Sequence, residues 1–177
     1  WIECYPLKPK GREDAHRSFV DFLGPRQKAE LIYTDNAGEL IKAVGKLGVP
    51  HRLAAPYRPK SNGVAERAVR TVLEGTRTVL EHAGLVPAFW PYACRHFCFA
   101  SNTTCVEGDS PWQRRHGKGP FAGKLLPFGC LVDFFPTAPK RENVPKFAPI
   151  AVPGIFLGYV IDPGAVRKSY RITREAL

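Results

Sequence analysis

The segment Val64 to Ala83 limits most sharply what this chain can fold into. Val69, Val72, Leu73, Thr76, Leu80 and Ala83 recur at helical spacing and form an inward stripe. Arg67, Arg70, Glu74, Arg77 and Glu81 fall outward, with Arg70–Glu74 and Arg77–Glu81 spaced one turn apart. Gly84 ends the pattern. A helix of this length spans about 30 Å, and its apolar stripe has to be covered by a sheet or by other helices.

The preceding residues supply such a partner. Trp1–Leu7 alternates in strand fashion until Pro9 and Gly11 break it. Glu13–Leu23 fits an amphipathic helix ended by Gly24-Pro25. Glu30–Thr34 is a short apolar strand, and Asp35-Asn36-Ala37-Gly38 is turn chemistry at its end. Glu39–Leu47 is a second helix, stopped by Gly48 and Pro50, and His51–Ala55 is another strand. Pro56–Gly63 is a Pro/Gly/Ser/Asn loop carrying Arg58 and Lys60. After the long helix a further one runs from near Pro87 to Ala100. Strands alternating with helices in this order imply a layered α/β domain over residues 1–108.

Beyond residue 108 the character changes. Residues 109–126 read as a connector, and 127–177 as a small β domain. Strands are expected at Gly129–Phe135, Gly154–Val160 and Ser169–Thr173, separated by turns such as Asp162-Pro163-Gly164.

The 177 residues carry 26 Lys and Arg against 16 Asp and Glu, a formal charge of +10. That excess favours polyanionic partners, nucleic acid before anionic membrane, although it also serves plain solubility. No apolar run is long enough to span a bilayer, and Trp1-Ile-Glu-Cys-Tyr has no signal-peptide pattern. A start on Trp within a strand-like pattern suggests a piece of something longer. The five cysteines, Cys4, Cys94, Cys98, Cys105 and Cys130, are odd in number and irregularly spaced, which argues for free thiols rather than a disulfide framework.

Two carboxylates stand out by position. Asp35 ends a strand, where open α/β sheets bind ligands. Glu66 opens the long helix just after the basic loop. If that helix packs across the sheet, both point into one crevice, where carboxylates can hold Mg²⁺ with substrate phosphates. Each also has an ordinary explanation: Asp before a helix is a common cap, and Glu in a first turn suits the helix dipole. The surroundings favour the first account. Between Lys46 and Arg70 six Lys or Arg (Lys46, Arg52, Arg58, Lys60, Arg67, Arg70) accompany one acid, Glu66. Such a surface suits DNA backbone. Tyr57 could stack on an unpaired base.

Tyr33-Thr-Asp-Asn-Ala-Gly-Glu-Leu40 resembles the "TDNGGEF" segment of retrotransposon and retroviral integrases. Ala55-Pro-Tyr-Arg-Pro-Lys-Ser-Asn-Gly-Val-Ala-Glu-Arg67 closely resembles their "PYTPQQNGVAER" segment. Phe89-Trp90, Ser110-Pro111 and Pro127-Phe-Gly-Cys130 look like the downstream pattern of copia-type long-terminal-repeat elements. Pro153-Gly-Ile-Phe-Leu-Gly-Tyr159 resembles the start of the SH3-like segment that follows their integrase core.

The resemblance implies a ribonuclease-H-like mixed sheet with flanking helices, its first strand missing, followed by a small SH3-like β-barrel. It implies an integrase that processes DNA 3′ ends and joins them to target DNA with Mg²⁺ or Mn²⁺, acting in the nucleus as a homo-oligomer. Asp35 would be the second catalytic acid and Glu66 the third, both as metal ligands. Arg58, Lys60, Asn62, Arg67 and Arg70 would be the DNA-binding residues, Asn62 and Gly63 shaping the loop before Glu66. The first catalytic Asp would belong on a strand before Trp1. Asp14 and Asp21 fall in the first expected helix and do not match its motif. The family's zinc module, a His/His/Cys/Cys set, has no counterpart in this sequence. Thirty residues separate Asp35 from Glu66, somewhat fewer than the family usually has, and Ala37 replaces the usual Gly. With two of three acids, this chain alone is expected to be inactive. The competing class is a non-catalytic nucleic-acid-binding remnant or scaffold.

Overall fold

A computed structural model describes residues 1–7, 12–55, 62–105, 108–117, 119–136, 145–164 and 166–173. Its elements run α1 (Arg12–Leu23), β1 (Ile32–Thr34), α2 (Gly38–Leu47), β2 (His51–Leu53), α3 (Gly63–Ala83), α4 (Trp90–Thr103), α5 (Pro111–His116), β3 (Leu131–Phe134), β4 (Val152–Asp162) and β5 (Val166–Thr173). A 3₁₀ turn, Pro87–Phe89, leads into α4.

The α/β half follows the chain's periodicity. β1 and β2 pair in parallel, Ile32 opposite His51 and Thr34 opposite Leu53, and α2 is the crossover between them. The apolar residues Ala43 and Val44 of α2 are wholly buried. Gly48 closes α2 in the left-handed conformation, and its N–H donates to the carbonyl of Gly45.

The Trp1–Leu7 segment is not a strand, contrary to its alternation. Its backbone has a different partner. The Ile2 N–H donates to Asn102 Oδ1 at 3.0 Å, and Asn102 Nδ2 donates to the Ile2 carbonyl at 2.7 Å. A buried side-chain amide thus satisfies both polar groups that a neighbouring strand would satisfy. The alternation survives in the side chains. Trp1 Nε1 and the Tyr5 hydroxyl both donate to the Glu3 carboxylate.

α5 lies within the stretch expected to be a connector. The signal for it is present in the sequence. Ser110-Pro111-Trp112-Gln113 is a capping box: the Ser110 hydroxyl accepts from the Gln113 N–H, and the Gln113 side chain accepts from the Ser110 N–H. From α5, Arg115 donates to the Phe22 carbonyl, and its guanidinium lies 4.8 Å from the ring centres of both Trp1 and Phe22. The same end of α1 meets the β4–β5 turn. Gly164 N–H donates to the Asp21 carbonyl at 2.8 Å, and Gly24, at a φ of 63°, is so close to Gly164 that a Cβ there would strike backbone.

β3, β4 and β5 form an antiparallel sheet in that order, with bulges between β4 and β5. Among the described residues this sheet is open, not the closed SH3-like barrel expected. The reason is what covers it. Gly154–Tyr159 is buried throughout, and α4 lies against β4. Phe156 is fully buried, with His96 5.9 Å away in edge contact. Tyr159 has Phe99 at 4.0 Å and His96 stacked at 6.0 Å. Further on, Ala93 and Leu85 share a cluster with Phe128, Ile155 and Leu157. A helix supplies the cover that additional strands supply in a barrel. α3 packs on the other side of α4, where Gly75 leaves room for the Phe97 ring.

His96 makes this junction sensitive to acid. Its ring faces Phe128, Phe156 and Tyr159, and among the described residues its buried Nδ1 has no hydrogen-bond partner. Burial pushes its pKa from 6.5 down to about 4. Above the unfolded value neither state carries the proton, so the depressed pKa costs nothing. As pH falls through that window the unfolded chain takes up a proton that the folded chain refuses. Stability should therefore drop with pH and level off below the folded value, the total loss being about 3 kcal/mol. Denaturant titrations across this range should show that slope for the parent and a much flatter one for His96→Leu. Parallel slopes would show that His96 is not the group responsible.

Candidate metal and nucleic-acid site

β1 ends at Thr34, and the hydroxyl of Thr34 sits 2.9 Å from His51 Nε2 on β2. The ladder continues one residue further, Ala54 N–H donating to the Thr34 carbonyl at 2.8 Å. Asn36 Nδ2 donates to the Ala54 carbonyl at 3.0 Å. These bonds fix the turn in which Asp35 stands. Asp35 Oδ1 accepts from the Ala37 N–H at 3.1 Å, immediately before α2. This is an Asx turn ahead of α2, whose N-cap is Ala37 with no side-chain cap bond, and it uses one carboxylate oxygen of an exposed side chain.

Glu66 is exposed in the first turn of α3, where the helix dipole favours negative charge. Asp35 and Glu66 both border one open cleft between the β1 end and the N-terminal half of α3. Asn62, the residue before α3, borders it too. Its buried Oδ1 has no hydrogen-bond partner among the described residues. Arg70, Glu74 and Arg77 continue along the same wall. From Glu66 these lie four, eight and eleven residues on, one stripe of a helix about 16 Å long.

Sequence reasoning assigned part of this wall wrongly. Val69 and Leu73 were expected in the core, yet they are 59% and 52% exposed and line the cleft. α3 buries Thr76 and half-buries Val72, Val79, Leu80 and Ala83 against its neighbours. Its N-terminal half reaches past α4 and turns its Val69–Leu73 face to the opening. Glu74, Arg77 and Tyr33 belong to the cleft and were not singled out as site residues. The i, i+4, i+8 and i+11 spacing from Glu66 was the available signal for the first two. Arg67 is exposed but lies off the cleft wall. Arg58, Lys60 and Tyr57 lie outside the described residues.

The donor set is oxygen only: two carboxylates and an amide carbonyl. That chemistry fits a hard divalent cation and not a soft one. Among the described residues no group of three or more His, Cys, Asp or Glu side chains converges as a metal cluster. Two carboxylates would leave most coordination positions to water or substrate oxygens.

The site thus combines an α/β core, an acidic pair at a strand end and a helix start, and arginines beside them, the arrangement that the sequence resemblance implies. Comparison with known proteins agrees. The chain is 30% identical over 174 residues to the retrovirus-related Pol polyprotein from transposon RE1 of Arabidopsis thaliana, covering 93% of this chain and 12% of that protein. It is 32% identical over 139 residues to the corresponding polyprotein from transposon RE2, covering 73% of this chain and 9% of that protein. A chain of the simian T-cell lymphotropic virus intasome, solved in complex with the PP2A regulatory subunit B56 gamma, matches in fold with a TM-score of 0.50 at 16% identity, over 95% of this chain and 67% of that one. No family model matches. The chain is homologous to a segment of the retrovirus-related Pol polyproteins and shares the fold of an intasome chain, while spanning about an eighth or less of the lengths of these two plant relatives.

The turn bond to the Ala37 N–H separates the structural and chemical roles of Asp35. Asp35→Asn keeps an acceptor oxygen for the Ala37 N–H and should melt with the parent. Asp35→Ala loses the turn bond and should cost up to about 1 kcal/mol. Equal stability of all three in thermal melts would mean the bond contributes nothing.

Proposed function

We propose that this chain is the integrase segment of a copia-type retrotransposon polyprotein and that Asp35 and Glu66 hold Mg²⁺ or Mn²⁺ against DNA phosphates. The observation that carries this reading is that two acids with thirty residues between them in sequence border one cleft. Bound there, such ions would activate the attacking hydroxyl and balance the charge of the phosphodiester being displaced. The residues of this chain bind and orient. Arg70 and Arg77 would contact successive backbone phosphates along the helix, and the Asn62 carbonyl would accept from a metal-bound water or a nucleotide donor. Val69, Leu73 and Tyr33 would give the wall an apolar surface on which a sugar or base can rest. The parent polyprotein would carry out DNA 3′-end processing and strand transfer, acting in the nucleus on element ends and target DNA as an oligomer. With two catalytic acids in the cleft, this chain alone would bind DNA without joining it.

Fluorescence anisotropy with a short duplex, across a salt series and with or without Mg²⁺, tests the site. Arg70→Ala and Arg77→Ala should each weaken binding alike for all sequences and lower the salt slope by about one. Mg²⁺ should strengthen binding by the parent and not by Asp35→Asn/Glu66→Gln. DNA binding that ignores both Mg²⁺ and that double substitution would instead favour the non-catalytic nucleic-acid-binding scaffold. A metal-dependent strand-transfer product from this chain, lost in Asp35→Asn, would overturn the claim that it cannot join DNA alone.

A further inference from the structure

The Thr34 hydroxyl stands between His51 and the backbone of Asp35. It donates to the Asp35 carbonyl at 2.7 Å and lies 2.9 Å from His51 Nε2. A hydroxyl has one hydrogen to give. That hydrogen goes to Asp35, so the second bond takes its hydrogen from the imidazole: Nε2 donates and the Thr34 oxygen accepts. The neutral Nε2–H tautomer and the imidazolium both carry this hydrogen. The chain of bonds therefore needs a donor at position 51 and not a charge. Strand register brings the two side chains together. With Ile32 opposite His51 and Thr34 opposite Leu53, Thr34 and His51 are diagonal neighbours on one face of the sheet. Thr34 is buried and His51 half-buried, so water has little access to the hydroxyl. Holding β1 to β2 does not require this side-chain pair, because backbone bonds do so at both ends. Ile32 N–H donates to the Pro50 carbonyl at 2.9 Å, and Ala54 N–H to the Thr34 carbonyl at 2.8 Å.

We propose that His51 is a positioning residue for the divalent-metal site: acting through Thr34, it fixes the Asp35 backbone and so keeps the carboxylate ready at the cleft. The inference rests on the reading of Asp35 and Glu66 as metal ligands. Asp35 is exposed in a turn, so hydrogen bonds rather than packing have to hold it. Its Oδ1 is engaged by the Ala37 N–H, and Asn36 is tied to the Ala54 carbonyl. The Thr34 bond holds the remaining group, the Asp35 carbonyl, and with it the plane of the Asp35–Asn36 peptide. Asp35 Oδ2 has no partner among the described residues and is left for a cation. Without His51 the Thr34 hydroxyl is free to turn to water in the cleft, which Thr34 borders. The Asp35 peptide would then lose its third restraint. A site with two carboxylates has few protein ligands, so the orientation of each weighs heavily, and partners behind a ligand commonly set affinity in this way. His51 is not on the cleft wall. It acts through Asp35 and does not touch the ion or the nucleic acid.

The test measures Mn²⁺ binding to the full chain by loss of the free-ion paramagnetic resonance signal, beside anisotropy of a short duplex without metal. The Mn²⁺ binding that disappears in Asp35→Asn/Glu66→Gln defines the site. His51→Leu should weaken it about tenfold and leave metal-free DNA binding unchanged. His51→Gln, which offers an N–H close to the place of Nε2, should restore most of the affinity. Thr34→Val keeps the shape and removes the hydroxyl. It should match His51→Leu, and the two together should cost no more than either alone. Circular dichroism melts show whether each variant folds. If His51→Leu does not, the pair Thr34→Val and Thr34→Ser decides, the serine keeping the affinity that the valine loses. Full Mn²⁺ affinity in folded His51→Leu or Thr34→Val would overturn the inference and leave the metal site standing. Equal losses of metal binding and of metal-free DNA binding would also overturn it, since they mark a purely structural role. Absence of any Mn²⁺ binding that depends on Asp35 and Glu66 would overturn the metal site itself, and this inference with it.

Discussion

The contact of α4 with β4 is the constraint on which the remaining architecture rests. α4 carries Ala93, Cys94, His96, Cys98, Phe99 and Asn102, all buried, and they serve different neighbours around its circumference. Ala93, His96 and Phe99 meet the sheet, Cys98 and Asn102 meet the N-terminal segment, and α3 lies along a further side. Phe156 shows the scale: it is fully buried, and removing a ring so placed costs about 3–5 kcal/mol. A helix committed on so many sides cannot rotate or slide without breaking several packings at once.

The cleft follows from that commitment. α3 is held by α4 along its C-terminal part, where Thr76 is buried and Gly75 admits the Phe97 ring. The N-terminal half of α3 carries Glu66 and Arg70 on the cleft wall, and the wall continues through Glu74 and Arg77 on the face of the supported part that looks to the opening, with the β1 end bordering the same cleft. A rigid helix whose free half overhangs a strand end places charged side chains in water with their positions still defined. Backbone recognition of a polyanion needs such spacing more than it needs burial. The apolar side chains of Val69 and Leu73 are exposed for the same reason.

Much of the fold was legible in advance because local physics and tertiary packing agree there. The α2 crossover between two short parallel strands, the long α3 and the three C-terminal strands all appear where periodicity and Gly/Pro punctuation put them. The Asp35 turn and the Glu66 helix start were legible as well, since both use local backbone chemistry. The Trp1–Leu7 segment failed because alternation specifies which side each residue faces, not who pairs with its backbone. Here the partner is Asn102, a hundred positions away. The barrel expectation failed similarly: an apolar run such as Gly154–Tyr159 demands cover, and its composition is indifferent to whether strand or helix provides it.

Sequence alone therefore determined the elements, the turn and helix start that carry the two acids, and the kinship with Pol polyproteins, because each is encoded within a few neighbouring residues. Only the tertiary structure decided that Asp35 and Glu66 border the same cleft, that Glu74 and Arg77 join them while Arg67 does not, and that α4 rather than further strands covers the C-terminal sheet. Those outcomes depend on contacts between residues far apart in the chain. Their energies come from shape and buried area summed over several elements, which no local pattern records.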